Sequence, residues 1–482
     1  MPLPARPRSH SLLLAALIVA AVAATPDRPA TPPAASVDWA DGAICYEIYV
    51  RSFADSDGDG TGDFRGLTER LDYLNDGNPD GGYDLGVDAI ALLPIFRSPA
   101  RHGHDASDYE HVNPDYGTEA DFDRLIAEAH RRGIKVLLDF PPERTSVEPP
   151  GDERVRVATK LLKRGVDGFR IDVARHATER GHSEKSDAKE THAALRALAA
   201  RVRRAKPEAL LVGVNRADTK TIAEYFGRAD SIPRGDELPC NLNFPLAAAI
   251  VEGIRTGDAR PAATVLREMK QRYPAGAIDA PFLTNHDMRR VATQLGGRRE
   301  KLRSAVVTLL TLPGLVCLYY GEEVGLRNGP GDGERGNGTP MAWDASPGAG
   351  FTRGKPWQAF APGKEETNVA AQLKSPISLL GRYRGLLRVR RGYAALRNGA
   401  LDLLTSRDRR TPILAFTRTH GPERMLVVHN LGGDAATAGP YRIDAKAFTP
   451  VIQDLGVGAP KMTSKGVTVL LPPNSSAVWK LD

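Results

Sequence analysis

The sequence predicts an α/β chain, a (β/α)8 TIM barrel followed by a C-terminal antiparallel β-sandwich domain. Three observations carry that prediction. From Ile44 onward, eight short apolar runs alternate with amphipathic helical stretches, the order expected of parallel βαβ units. After the helical stretch Ile377–Arg391 this alternation stops, and strand-like runs separated by Gly, Pro and Asn take over. The length, 482 residues, suffices for one large and one smaller domain.

The elements follow in order. Arg6 and Arg8 precede the apolar run Leu12 to Ala24, which ends on the small residues Ala21-Val22-Ala23. That is the layout of a secretory signal peptide over residues 1–24 and implies a secreted or periplasmic protein. The run is shorter than the ~20 residues of a membrane span, so no integral membrane segment is expected after processing. Residues 25–36 are rich in Pro, Ala and Thr and read as a linker. The barrel is expected over 37–395. Its strands are Ile44–Val50, Val87–Leu93, Ile134–Asp139, Gly168–Asp172, Leu210–Val214, Cys240–Phe244, Ala280–Thr284 and Leu315–Tyr320, with helices such as Asp121–Arg132 and Glu153–Arg164 between them. Residues 396–482 form the β domain, with strands Ile413–Thr417, Met425–His429, Gly466–Leu471 and Ser476–Leu481.

Composition narrows the function classes. With 41% hydrophobic and 26% charged residues the chain is an ordinary globular protein. The net charge is +6, but 65 basic and 59 acidic residues are interspersed, so no nucleic-acid partner is expected. Cys45, Cys240 and Cys317 are too few for a disulfide framework and lack metal-ligand spacing; they read as buried free thiols.

Chemistry gathers at the C-terminal ends of the strands, where barrels of this kind carry their sites. In Gly165-Val-Asp-Gly-Phe-Arg-Ile-Asp-Val-Ala-Arg-His176, Arg170 and Asp172 lie two apart and share a face inside the barrel mouth. A guanidinium there holds a carboxylate ionised, as a nucleophile requires, or simply makes an internal ion pair. Phe282-Leu-Thr-Asn-His-Asp287 brings His286 and Asp287 to the same rim, and His102-Gly-His-Asp-Ala-Ser-Asp-Tyr109 brings His104 and Asp105. The loop Asp55-Ser-Asp-Gly-Asp-Gly-Thr-Gly-Asp63 offers Asp55, Asp57, Asp59, Thr61 and Asp63 at alternate positions, a donor set that suits structural Ca²⁺. It is not an EF-hand, because Gly66 stands where the bidentate Glu would be.

These motifs resemble the α-amylase family of glycoside hydrolases (family 13). The likeness runs from Tyr46-Glu-Ile-Tyr-Val-Arg-Ser-Phe53 through Tyr319-Tyr-Gly-Glu-Glu323 to Pro340-Met-Ala-Trp-Asp344 and Gly350-Phe-Thr-Arg-Gly354. The resemblance implies α-glucan chemistry, with Asp172 as the nucleophile of a retaining mechanism. Arg170, His286 and Asp287 would orient it and grip sugar hydroxyls, with Asp105, His104 and His176 also on the substrate side. Several relatives carry calcium in the loop that matches Asp55 to Asp63.

The chain departs from the pattern in four places. The family's proton donor is a glutamate ending the fifth strand; here the run is Leu210-Leu-Val-Gly-Val214. A retaining glycosidase needs two carboxyl groups about 5 Å apart, one to attack and one to handle protons. Valine does neither, so hydrolysis is expected to be impaired, unless Asp218 or Glu143 replaces the acid. After Asp139 the family's Asn-His pair is replaced in Phe-Pro-Pro-Glu143-Arg144, and His104 stands in place of a stacking tyrosine. The subdomain that walls the cleft after the third strand is reduced to Arg144–Gly151. The alternative is a non-catalytic carbohydrate-binding or interaction protein on a degenerate barrel.

Overall fold

The computed structural model describes residues 37–78, 83–98, 108–140, 152–172, 189–228, 234–405 and 410–482. The signal peptide, the linker, His104, Asp105, Glu143 and His176 lie outside the described residues.

Eight parallel strands form the barrel: β1 (Ile44–Ile48), β2 (Ala89–Leu92), β3 (Lys135–Phe140), β4 (Gly168–Asp172), β5 (Leu210–Val214), β6 (Cys240–Leu242), β7 (Ile278–Ala280) and β8 (Val316–Tyr319). They pair in chain order from β1 to β7, and β8 returns to β1. The remaining gap is closed by backbone hydrogen bonds from Leu315 N to Asp279 O and from Cys317 N to Pro281 O, both 2.9 Å.

The period of two sorts each strand into an inner and an outer face. On β1, Ile44, Tyr46 and Ile48 pack outward against the helix layer, while Cys45 joins the interior cluster. On β5 the interior residues are Leu210, Val212 and Val214, and Leu211 faces the helices. Gly213 is required between them, since a Cβ there would stand 2.0 Å from Asn241 Oδ1. Side chains of successive layers fill the barrel, so that chemistry is left to its mouth.

Several strands, β6 and β7 among them, end earlier than the sequence pattern suggests. β7 stops at Ala280, because Pro281 has no N–H to continue the ladder. The stretch from Phe282 to Asp287 therefore runs as a loop over the mouth. β6 stops at Leu242, because Asn243 accepts from Leu246 N and caps the helix Phe244–Thr256.

The C-terminal region builds two antiparallel sheets. In the larger, Ala400–Leu403, Ile413–His420, Glu423–Asn430, Ser476–Leu481 and Phe448–Gln453 pair in that order; Ala436–Tyr441, Gly466–Leu471 and Lys461–Thr463 form the smaller. Ala415, Leu426, Val428, Val467, Val469 and Trp479 fill the space between them, as in a sandwich. Four of these eight strands escape the sequence reading. Phe448–Gln453 is an edge strand carrying Pro450 and a register shift beside it, where proline is tolerated. Lys461–Thr463 is wholly exposed and has no apolar face to recognise. Among the described residues no helix is long and apolar enough to cross a membrane.

Candidate functional site

Backbone register assembles the site. Asp139 on β3 is level with Arg170 on β4, and Asp172 on β4 is level with Val214 on β5. Arg170 is buried among carboxylates. Its Nη1 donates to Glu47 Oε2 at 2.9 Å, and its Nε lies 3.1 Å from Asp139 Oδ1. Glu47 also holds His286: Oε1 accepts from the His286 backbone N–H at 3.0 Å and contacts Nδ1 at 2.7 Å. The other ring nitrogen, Nε2, lies 3.4 Å from Asp287 Oδ1. Asp287 meets a further cation, Arg216, whose Nη2 is 2.5 Å from Oδ2.

The electrostatics follow from this alternation of charge. Burial opposes ionisation of Glu47, but Arg170 and His286 hold its carboxyl below the ordinary value. Burial likewise opposes a charged His286, yet Glu47 and Asp287 lift it to about 9, so it is an imidazolium at neutral pH. Asp139 is pushed up to about 6 by burial, with Arg170 and His286 opposing and Glu47 and Asp172 adding repulsion. Arg170 stays charged: burial would lower it, and Asp139 and Glu47 more than offset that.

The structure thus brings together Arg170, His286 and Asp287 around Glu47, with Asp172 near Asp139. Glu47 is a residue the motif reading quoted without assigning it a role. Its signal was available: a glutamate inside an apolar strand is seldom buried without a cationic partner. Arg216 was missed as well, because its contact joins the ends of β5 and β7, which are not neighbouring strands.

At the expected position of the acid, Val214 is buried and belongs to the barrel's apolar interior. Asp218 is engaged as a helix cap. It accepts from Thr221 N at 2.8 Å at the start of the helix Thr219–Glu224, and this contact holds its carboxyl below the ordinary value. A group tied down and ionised in this way is a poor proton donor. Glu322 and Glu323 lie on the outer side of the wall: Glu322 accepts from Tyr383, and Glu323 from Tyr46 and Tyr73. Asn215 and Asn285, flanking Val214 and His286 in sequence, each have a buried Nδ2 without an acceptor among the described residues.

In the early loop, Asp55, Asp57 and Asp63 each offer an oxygen within 4.8 Å of the others. The loop is tightly wound. Asp55 accepts from the backbone of Asp57, Gly58 and Gly60, and Asp63 from Ser56 and Gly66. Asp59 Oδ1 accepts from Thr61 N. Three convergent carboxylates fit a hard cation that takes oxygen ligands.

Comparisons with known proteins agree with this architecture. The model of the alpha-amylase catalytic domain matches residues 47–150 and 151–399, and that of the alpha-amylase SusG C-terminal domain matches 413–478. Alpha-amylase 3 of Dictyoglomus thermophilum is 31% identical over 82% of this chain and 85% of its own. The trehalose synthase of Thermus thermophilus is 30% identical over 82% of this chain and 50% of its own. Among solved structures, the alpha-amylase from H. orenii superposes with a TM-score of 0.77 at 30% identity, covering 91% of this chain and 99% of that one. The chain belongs to the alpha-amylase family of family 13 glycoside hydrolases.

Proposed function

We propose that this is an exported α-glucan-binding protein whose site keeps the nucleophilic half of a retaining glycosidase and lacks the proton-transferring half. One observation carries the reading: Val214 stands level with Asp172 on the adjacent strand and is part of the apolar interior. Relatives named alpha-amylase, trehalose synthase and alpha-glucosidase support α-linked glucose as the sugar recognised. Asp172, Arg170, Asp287 and His286 act on the sugar, with Asp105, His104 and His176 assigned to substrate by the sequence alone. A missing acid–base group costs a factor of about 10²–10⁴ in rate, and more where the leaving group is poor.

The chemistry such a site retains is orientation and charge. Glu47 fixes Arg170 and His286, and these in turn surround the carboxylates that would face an oxocarbenium-like centre. Ca²⁺ would be held by Asp55, Asp57 and Asp63, with Asp59 and Thr61 nearby, where it would stiffen the loop. The apolar segment ahead of residue 25 supports export.

Reducing-sugar release from starch and maltooligosaccharides tests the reading. The unmodified protein should release little, and Val214→Glu should raise release by at least about tenfold. Turnover by the unmodified protein that vanishes in Asp172→Asn would overturn it. Calorimetric titration with maltooligosaccharides should give binding heat; no heat and no thermal stabilisation would favour an interaction scaffold.

A further inference from the structure

The site's asymmetry limits which bond it can break. Cleaving an ordinary glycosidic bond requires a proton on the departing oxygen, and the strand that would supply it ends in Val214. Two residues on, Arg216 places a guanidinium at the rim, half-exposed, with one nitrogen against Asp287. Its position is braced by the Phe244 ring, whose centroid is 5.5 Å from the guanidinium carbon. Where a carboxylic acid is expected the site has a hydrocarbon, and just above it a cation.

We infer that this site turns over α-glucosyl donors whose leaving group departs as a stable anion, α-glucosyl phosphate above all, with Arg216 receiving the departing phosphate. This rests on the α-glucan reading above and names the donor class for the same site. In the step, a carboxylate oxygen of Asp172 attacks the anomeric carbon and forms an acylal ester. The donor reacts as its monoanion: the bond from that carbon to the phosphate oxygen breaks, and its electron pair leaves on hydrogen phosphate, whose proton the donor already carries on another phosphate oxygen. No proton is transferred, so the absence of an acid costs nothing here. Arg216 offsets the developing charge and fixes the anion through charge-assisted hydrogen bonds. The second step differs. Water or a sugar hydroxyl must lose a proton as it attacks, and Val214 cannot take it, so the glucosyl ester outlives the first step. An acceptor that is already an anion, phosphate or azide, needs no base and releases the sugar.

The test uses the full chain with α-D-glucopyranosyl fluoride and α-D-glucose 1-phosphate. Intact-protein mass spectrometry should show a gain of one hexosyl group with each donor, mapped to Asp172 by peptide analysis and absent in Asp172→Asn. Azide should discharge the adduct as glucosyl azide. Arg216→Leu should slow adduct formation from the phosphate by about tenfold or more, with a much smaller effect on the fluoride; Arg216→Lys should recover part of the loss. Val214→Glu should stop the adduct from accumulating and instead release glucose from the fluoride over many turnovers, which only a folded protein can do. Absence of an adduct from either donor, in a protein that still gives binding heat with maltooligosaccharides, would overturn this inference and leave the glucan site standing. An adduct from the fluoride alone, or equal slowing of both donors by Arg216→Leu, would overturn the phosphate assignment. Loss of glucan binding heat would instead remove the underlying reading.

Discussion

Glu47 shows how one side chain sets the state of several others. It contributes one carboxylate oxygen to Arg170 and the other to His286, so both cations depend on its charge. Glu47→Gln keeps the shape and removes that charge. His286 should then titrate below about 9, followed by NMR of its ring protons, and the fold should lose on the order of 3 kcal/mol in urea denaturation. An unshifted His286 would contradict the assignment. The linkage has a definite sign. The stability that the raised His286 contributes is fully present below its ordinary value of 6.5 and is lost as pH rises through about 9. Arg170, Asp172, His286 and Asp287 were legible in the sequence because polar residues close apolar strands. Glu47 was less so, since its partners lie on β4 and beyond β7, far away in the chain.

At the scale of elements, short-range capping decides what a carboxylate is available to do. Asp218 caps a helix and so leaves the chemistry, while Asp63 caps the helix Phe64–Glu69 and also belongs to the acidic loop. The calcium proposed for the loop is therefore tested best at Asp57, which caps no helix. Adding calcium after chelation should raise the melting temperature, and Asp57→Asn should abolish most of the rise. An unchanged melting curve in the unmodified protein would remove calcium from the account. Strand positions were legible to within a few residues, because inward and outward faces alternate. The ends of β6 and β7 were not, since proline and an asparagine cap stop ladders that hydrophobicity alone would extend. In the β domain, edge strands with little buried surface left no pattern to read.

For the molecule as a whole, a buried arginine of the β domain, Arg418, reaches a carbonyl of the barrel, and a second, Arg390, fastens the last helices of the barrel to its body. Arg390 donates to the carbonyls of Leu312, Leu396 and Gly314, and Arg418 to those of Thr311 and Gly399. Burial lowers both, Arg390 to about 9. Arg418→Met should cost on the order of 3 kcal/mol through orphaned carbonyls, read as a lowered denaturation midpoint; an unchanged midpoint would contradict the clamp. Buried acids add a pH dependence. Burial pushes Glu322 up to about 8 from 4.5, so the folded chain binds the extra proton and stability falls as pH rises between those values. Glu322→Gln should flatten that part of the stability curve, and an identical slope in both proteins would show that Glu322 does not set it.

The whole account depends on what stands opposite Asp172. A crystal structure with an uncleaved maltooligosaccharide spanning the site measures this directly. The account predicts Asp172 beneath the anomeric carbon and only the Val214 hydrocarbon on the acid's side, with no ionisable oxygen within the hydrogen-bond reach of about 2.6–3.2 Å of the interglycosidic oxygen. A carboxyl from any segment within that distance would contradict it.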